Sequence, residues 1–138
     1  MAKNTQLTNE VVNAQADALS DLADNGWMDI LDGTQPATGD TAITTQVVLV
    51  SLQLNATFSG AASNGVLTAN AITSGVAVAS GTASWFRIYK ADHTTPLWDG
   101  SVGTTTANAI LPTTTINSGQ TVTCDSFTHT VAKSASGY

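Results

Sequence analysis

Apolar and polar residues follow two periods along this chain, and the change falls near residue 26. Before it, Val11, Gln15, Ala18 and Leu22 recur at helical spacing, as do Val12, Ala16, Leu19 and Ala23. The pattern predicts a helix over residues 9–25, with Glu10 and Asp17 at exposed positions. Thr8 or Asn9 supplies the N-cap, and Gly26 stops the helix in a left-handed turn. The apolar stripe is narrow and built from small residues. Such a stripe suits a helix lying on a sheet or against a copy of itself, because it would be marginal alone in water. Residues 1–7 read as a flexible arm.

From Trp27 the period is two. Trp27 to Leu31 is a short strand, and Asp32-Gly33-Thr34-Gln35-Pro36 is turn chemistry opening a polar loop through Thr44. Gln46 to Phe58 is the clearest strand. Val48, Val50, Leu52, Leu54, Ala56 and Phe58 share one face, and Val47 and Leu49 make the other face apolar at its start. Burial on both sides follows, inside a sandwich or under a neighbour. Asn64-Gly65 is a hairpin signal. Val66 to Thr73 and Val76 to Ala79 are weaker strands. Thr82 to Lys90 is strong, with Phe86 and Ile88 on one face and Trp85, Arg87 and Tyr89 on the other. Further strands fall at Leu97 to Val102, interrupted near Asp99-Gly100, at Ala109 to Leu111, and at Gln120 to Val131 with a bulge at Asp125-Ser126. Residues 133–138 read as a flexible tail. Short strands at regular spacing predict a mainly β protein: an antiparallel β-sandwich or jelly-roll-like domain over residues 27–132, preceded by an arm and one helix over residues 1–26.

Charge changes this picture most. From Thr41 to Phe86 no residue is charged, and a second uncharged stretch runs from Gly100 to Cys124. Charged residues make up 10% of the chain, against roughly 25% in ordinary globular proteins. So long a neutral span must be covered by a second sheet, by copies of the chain, or by a larger assembly. Net charge is −6, and only Lys3, Arg87, Lys90 and Lys133 are basic. No basic stripe exists, which argues against nucleic-acid binding. Seven of the ten acids (Glu10, Asp17, Asp21, Asp24, Asp29, Asp32, Asp40) lie in the first forty residues, so the N-terminal part reads as the water-facing portion. The longest apolar run, Val47 to Val50, cannot span a bilayer. Residues 1–20 lack the apolar core of a signal peptide, and the single cysteine, Cys124, forbids a disulfide framework within the chain.

Chemistry is sparse. His93 near Asp92 and Asp99 has the residue types of an acid–base site, but Asp, His and Thr are also ordinary turn residues. Cys124 and His129 are five apart, which places them on opposite faces of a regular strand, and Cys124 reads more simply as a small buried hydrophobe. Asp29, Asp32 and Asp40 lack the spacing of a calcium loop and read as solvated carboxylates. No nucleophile elbow, phosphate loop or zinc-spaced pair occurs. The expectation is a non-enzyme without cofactor or metal. Trp27, Trp85, Trp98, Phe86 and Tyr89 supply either a sugar-binding platform or core and interface filling. Of these, Trp98 beside Asp99-Gly100 is the aromatic expected at the surface. The candidate interface residues are Val11, Leu19, Leu22, Trp27, Val47, Leu49 and Trp98.

Several segments in order carry a resemblance: Val12 to Leu19, Ile30 to Ala37, Ala61 to Gly65, Gly81 to Tyr89, Asp99 to Gly103 and Ile116 to Val122. Together they resemble a family of small structural proteins of tailed bacteriophages and prophages, over most of the chain from the helix to about Thr130. The sequence departs from that pattern at Pro112, where a polar residue is common, and after Thr130. The resemblance implies a virion component with no catalytic residues to carry over. A capsid decoration (cement) protein is the leading expectation, bound to the major capsid protein and to copies of itself as a trimer or dimer. A neck or tail component, or a carbohydrate-binding module for host attachment, are the alternatives.

Overall fold

A computed structural model describes residues 4–134. One helix, α1 (Asn9–Ala23), precedes eleven strands: β1 (Trp27–Leu31), β2 (Val48–Gln53), β3 (Val66–Thr68), β4 (Gly75–Val76), β5 (Gly81–Thr82), β6 (Trp85–Tyr89), β7 (Pro96–Gly103), β8 (Ala109–Ile110), β9 (Thr115–Ile116), β10 (Thr121–Val122) and β11 (Ser126–Thr130). The protein is mainly β with one N-terminal helix, as the periodicity predicts. Seven strands form one mixed sheet in the order β2-β1-β6-β7-β8-β11-β3, and the rest form the pairs β10-β4 and β5-β9. Within the sheet only β7 and β8 run parallel.

The sheet curls until its ends meet. Beyond β2 the chain reaches Ser59, which bridges Ala69 just after β3, and Asn70 N–H donates to Phe58 O. The curl encloses an apolar face carrying Met28, Ile30, Val50, Leu52, Phe86, Ile88 and Phe127. Phe127 makes edge contacts with Phe58 and Phe86 at 5.6 and 4.9 Å between centroids, the geometry aromatic pairs prefer. Gly100 is required here: a Cβ would lie 2.4 Å from Phe86 Cζ. For that reason Asp99-Gly100 does not interrupt β7, which runs unbroken from Pro96 to Gly103. The predicted last strand is divided instead. Asp125 N–H bonds Ile110 O, and β10 and β11 join different sheets.

The helix starts at Thr8, whose hydroxyl accepts from Val11 N–H. Its left-handed stop is Asn25 (φ 58°), not Gly26. Gly26 has another cause, since a Cβ there would sit 2.3 Å from Tyr89 O. The buried stripe is Val12, Ala16, Ser20 and Ala23, while Val11 and Leu22 point outward. The helical acids do not simply face water. Asn13, Asp17 and Asp24 accept hydrogen bonds from the main-chain N–H groups of Gly65, Ala62 and Phe58, at 2.7, 2.8 and 2.7 Å. Ser20 and Ser59 share a buried hydroxyl bond at 3.0 Å. One polar stripe of α1 therefore accepts three of the donors of the irregular segment 58–65, which closes the sheet.

Two expectations change at the termini. The arm predicted over residues 1–7 is pinned at its inner end, because Leu7 N–H donates to Lys133 O and Gln6 bridges Ser134. The tail predicted over 133–138 begins in that same pairing. Residues 1–3 and 135–138 lie outside the described residues.

Asp24→Ala leaves Phe58 N–H without its acceptor in a partly buried site. The expected loss is about 1–3 kcal/mol, read as a lower urea midpoint at unchanged slope. An exposed helical acid such as Asp21, changed to Ala, is the reference and moves the midpoint by less than about 0.5 kcal/mol.

Candidate functional site

The outer face of the sheet carries a row of polar side chains across four strands. Ladder partners place Ser51 of β2 beside Asp29 of β1, Asp29 beside Arg87 of β6, and Arg87 beside Asp99 of β7. Alternation brings them together: Trp85, Arg87 and Tyr89 face away from Phe86 and Ile88, as the period-two pattern predicts. Arg87 is 3% exposed. Its Nε and Nη2 donate to the two carboxylate oxygens of Asp99 at 2.7 and 2.9 Å, and its Cζ lies 5.4 Å from the Trp85 ring centre. The bond to Asp99 raises the guanidinium pKa, although burial works against it. Burial, then the nearby Asp29 carboxylate, pushes the Tyr89 hydroxyl up.

His93 joins the row from the turn after β6, in the left-handed region (φ 58°). Its Nε2 lies 2.7 Å from Asp29 Oδ1, which also accepts from Ser51 Oγ at 2.6 Å. The imidazole stacks flat on Trp27, 4.7 Å between centroids at 8°, with the Tyr89 ring edge-on at 5.5 Å. The sequence neighbours Asp92 and Asp99 are not its partners. Asp92 closes the turn by accepting from Thr94 N–H, Thr95 N–H and Thr95 Oγ1, bonds that depress its pKa far below the usual carboxylate range. Asp99 holds Arg87. Ser51 and His93 meet the same carboxylate oxygen and do not bond each other, so the set is not the nucleophile–base–orienter chain of a hydrolase. The row folds the β6–β7 turn back over β1.

The other candidates separate. Cys124 Sγ donates to Ser126 O, and burial lifts its thiol to about 11. His129 packs against Trp98 at 5.0 Å, and its pKa is lowered by burial. Asp32 accepts from Val47 N–H, Asp29 is taken by Ser51 and His93, and Asp40 is exposed. The three do not converge, and among the described residues no group of three His, Cys, Asp or Glu side chains is placed to hold a metal ion. Among the described residues no helix is long and apolar enough to cross a membrane. An open cleft of about 340 Å³ lies between residues 35–40 and Leu97, Trp98 and Asp99. Its two carboxylates are the exposed Asp40 and the Arg87-bound Asp99.

The candidate interface residues divide sharply. Leu49 is fully buried within the chain, because the segment around Gly81 covers it; Leu49 Cδ2 is 3.0 Å from where a Cβ on Gly81 would stand. At Leu49 the second apolar face of β2 is thus covered by the chain itself, while Val47 at its start is not. Trp98 is only partly at the surface, where it borders the open cleft. It shares the inner face with Ile88 and is half-buried against Phe58 and Phe127, its Nε1 buried without a partner. Trp27 is half-buried under His93. Leu19 is half-buried against the core, whereas Val11, Leu22 and Val47 are exposed. Two residues that periodicity leaves inconspicuous are the most exposed large hydrophobics: Val76 at 61% and Val78 at 73%. Their only sequence signal is position inside the uncharged stretch.

Asp99→Ala strands Arg87 in the sheet, and the expected cost is about 3–5 kcal/mol. Replacing both partners by leucine recovers most of that loss in the same urea titration. Cys124 stays a thiol until the pH approaches 11, so at pH 8 it alkylates roughly a hundredfold more slowly than an ordinary cysteine. Iodoacetamide labelling followed by mass spectrometry measures this, and adding urea restores the ordinary rate. No protein-family model, curated protein or solved structure matches the chain.

Proposed function

We propose that this chain is a structural component of a bacteriophage virion, a decoration (cement) protein that binds the outer surface of the major capsid protein shell and stabilises it. It is made in the bacterial host cytoplasm and resides on the capsid surface. The observation that carries this reading is an exposed surface without charge. Nearly half of the residues from Thr41 to Phe86 are exposed, including Val47, Val76 and Val78, where a free-standing domain normally carries Lys and Glu. The resemblance of the turn and strand segments to small phage structural proteins points the same way. Such a protein acts by contact. It requires a stiff body, which the closed sheet provides, and a neutral face that docks without desolvating ions. The acids left over (Glu10, Asp21, Asp40, Asp125) are exposed and serve to keep decorated particles apart.

A neck or tail component uses the same surface logic at lower copy number. The sugar-binding reading loses its leading residue, since Trp98 belongs to the inner face and the flat side of Trp27 is occupied by His93.

Purified particles from the phage or prophage that encodes the chain test the proposal. Mass spectrometry and a cryo-EM map are expected to place it on the outer shell in numbers comparable to shell subunits or capsomers. Binding of added protein to stripped particles should persist between low and high salt, because the docking face is neutral. A small symmetric ring at the neck or tail would move the assignment to the second reading. Absence from the particle, or binding lost as salt rises, would overturn the proposal.

A further inference from the structure

The two uncharged stretches, far apart in sequence, pair with one another in space. Residues 75–82 run antiparallel to residues 115–122. Val76 and Gly75 pair with Thr121 and Val122, and Gly81 and Thr82 pair with Ile116 and Thr115. Between these pairs Ala77 N–H donates to Gln120 O, Gly119 N–H to Ala77 O, and Ser118 N–H to the Ser80 hydroxyl. The result is a continuous two-stranded ribbon in which no residue carries a charge. Its buried side covers β2 through Ala77 and the approach of Gly81 to Leu49. Its open side presents Val76 and Val78, with Thr121, the ladder partner of Val76, also exposed. Among the described residues β10 has no strand beyond it. Natural edge strands are normally guarded by a Lys, a Pro or an inward charge. Residues 115–124 contain none of these, and only the shortness of β9 and β10 protects the edge.

We infer that this ribbon is a self-association surface, and that its partner is the same ribbon of a second copy of the chain. Charge selects that occupant. Two molecules of net charge −6 repel each other in most orientations. Apposition through the ribbon brings together segments that contain no carboxylate. Asp32, which approaches Gly81, has one oxygen engaged by Val47 N–H. A ribbon whose exposed side is valine and threonine, flanked by an uncharged edge, is also self-complementary, as a two-fold contact requires. Two valines cannot supply the roughly 800 Å² per partner of an ordinary stable pair. The Ser and Thr surface of residues 73–82 and 117–123 must therefore take part. Self-association stands whether or not a capsid shell is the further partner.

Sedimentation equilibrium of the full chain over a concentration series, at low and at high salt, is the test. Wild type is expected to self-associate with a constant that changes little with salt. Val76→Glu/Val78→Glu places two carboxylates opposite two others and is expected to raise the dissociation constant more than about tenfold. Ala61→Glu, an added charge at an exposed position outside the ribbon, leaves it unchanged. Val78→Thr, nearly isosteric, raises it less, and this variant decides the matter if the double variant does not reproduce the wild-type circular dichroism. A wild-type chain that stays monomeric at its highest attainable concentration overturns the inference, as do ribbon variants that associate like wild type. Particle binding by a monomer would sink self-association while sparing the decoration reading. A salt-insensitive oligomer with no place in the particle would do the reverse.

Discussion

The only arginine of the chain lies in the middle of its main sheet, almost without contact with water, and much of the structure follows from having to satisfy it. An unpaired guanidinium in such a place costs several kcal/mol. The bidentate carboxylate of Asp99 on the neighbouring strand answers that cost only at one register. A slip of one residue would turn Arg87 into the apolar face and Phe86 out of it. The gain is in specificity more than in net stability, because a buried ion pair roughly breaks even against well-packed leucines. Asp29 in turn collects Ser51 and His93, so a single row fixes β2, β1, β6, β7 and the turn between the last two.

A second constraint concerns irregular backbone. The curled sheet is closed by residues 58–65, which have no ladder to satisfy their N–H groups. Side chains of α1 accept three of them. The helix is therefore part of the closure, and its small-residue stripe allows it to approach the loop closely enough for Asp17 and Asp24 to reach. A wider, bulkier stripe would bury more area and lose those bonds.

The third element is distributional. A chain with few charges commits six of them to buried or half-buried positions: Arg87, Asp29 and Asp99 in the sheet, and Asp17, Asp24 and Asp32 on backbone amides. The exposed charges (Glu10, Asp21, Asp40, Lys90, Asp92, Asp125 and Lys133) lie elsewhere on the surface, and the ribbon of residues 75–82 and 115–122 receives none. A neutral surface of this kind is tolerated where something apolar covers it, which links the internal use of charge to the contact function proposed.

The sequence by itself determined the class of elements. Periods of 3.6 and 2 placed the helix, β1, β2, β6 and the alternation that sends Arg87 and Phe86 to opposite faces, because burial of one face is a local property of side-chain order. It also marked the neutral stretches, since charge is read residue by residue. It did not determine partners. His93 reads as belonging with Asp92 or Asp99 because they are near in sequence, and only strand order brings Asp29 to it. Leu49 reads as buried inside a sandwich or under a neighbour, and only the segment around Gly81 decides that the chain covers it; Trp98 reads as a surface aromatic until the curl of the sheet half-buries it. Val76 and Val78 have no periodic signal, because a two-residue strand is too short to show one. Pairing, covering and closure depend on contacts between residues tens of positions apart, and those exist only once the chain has folded.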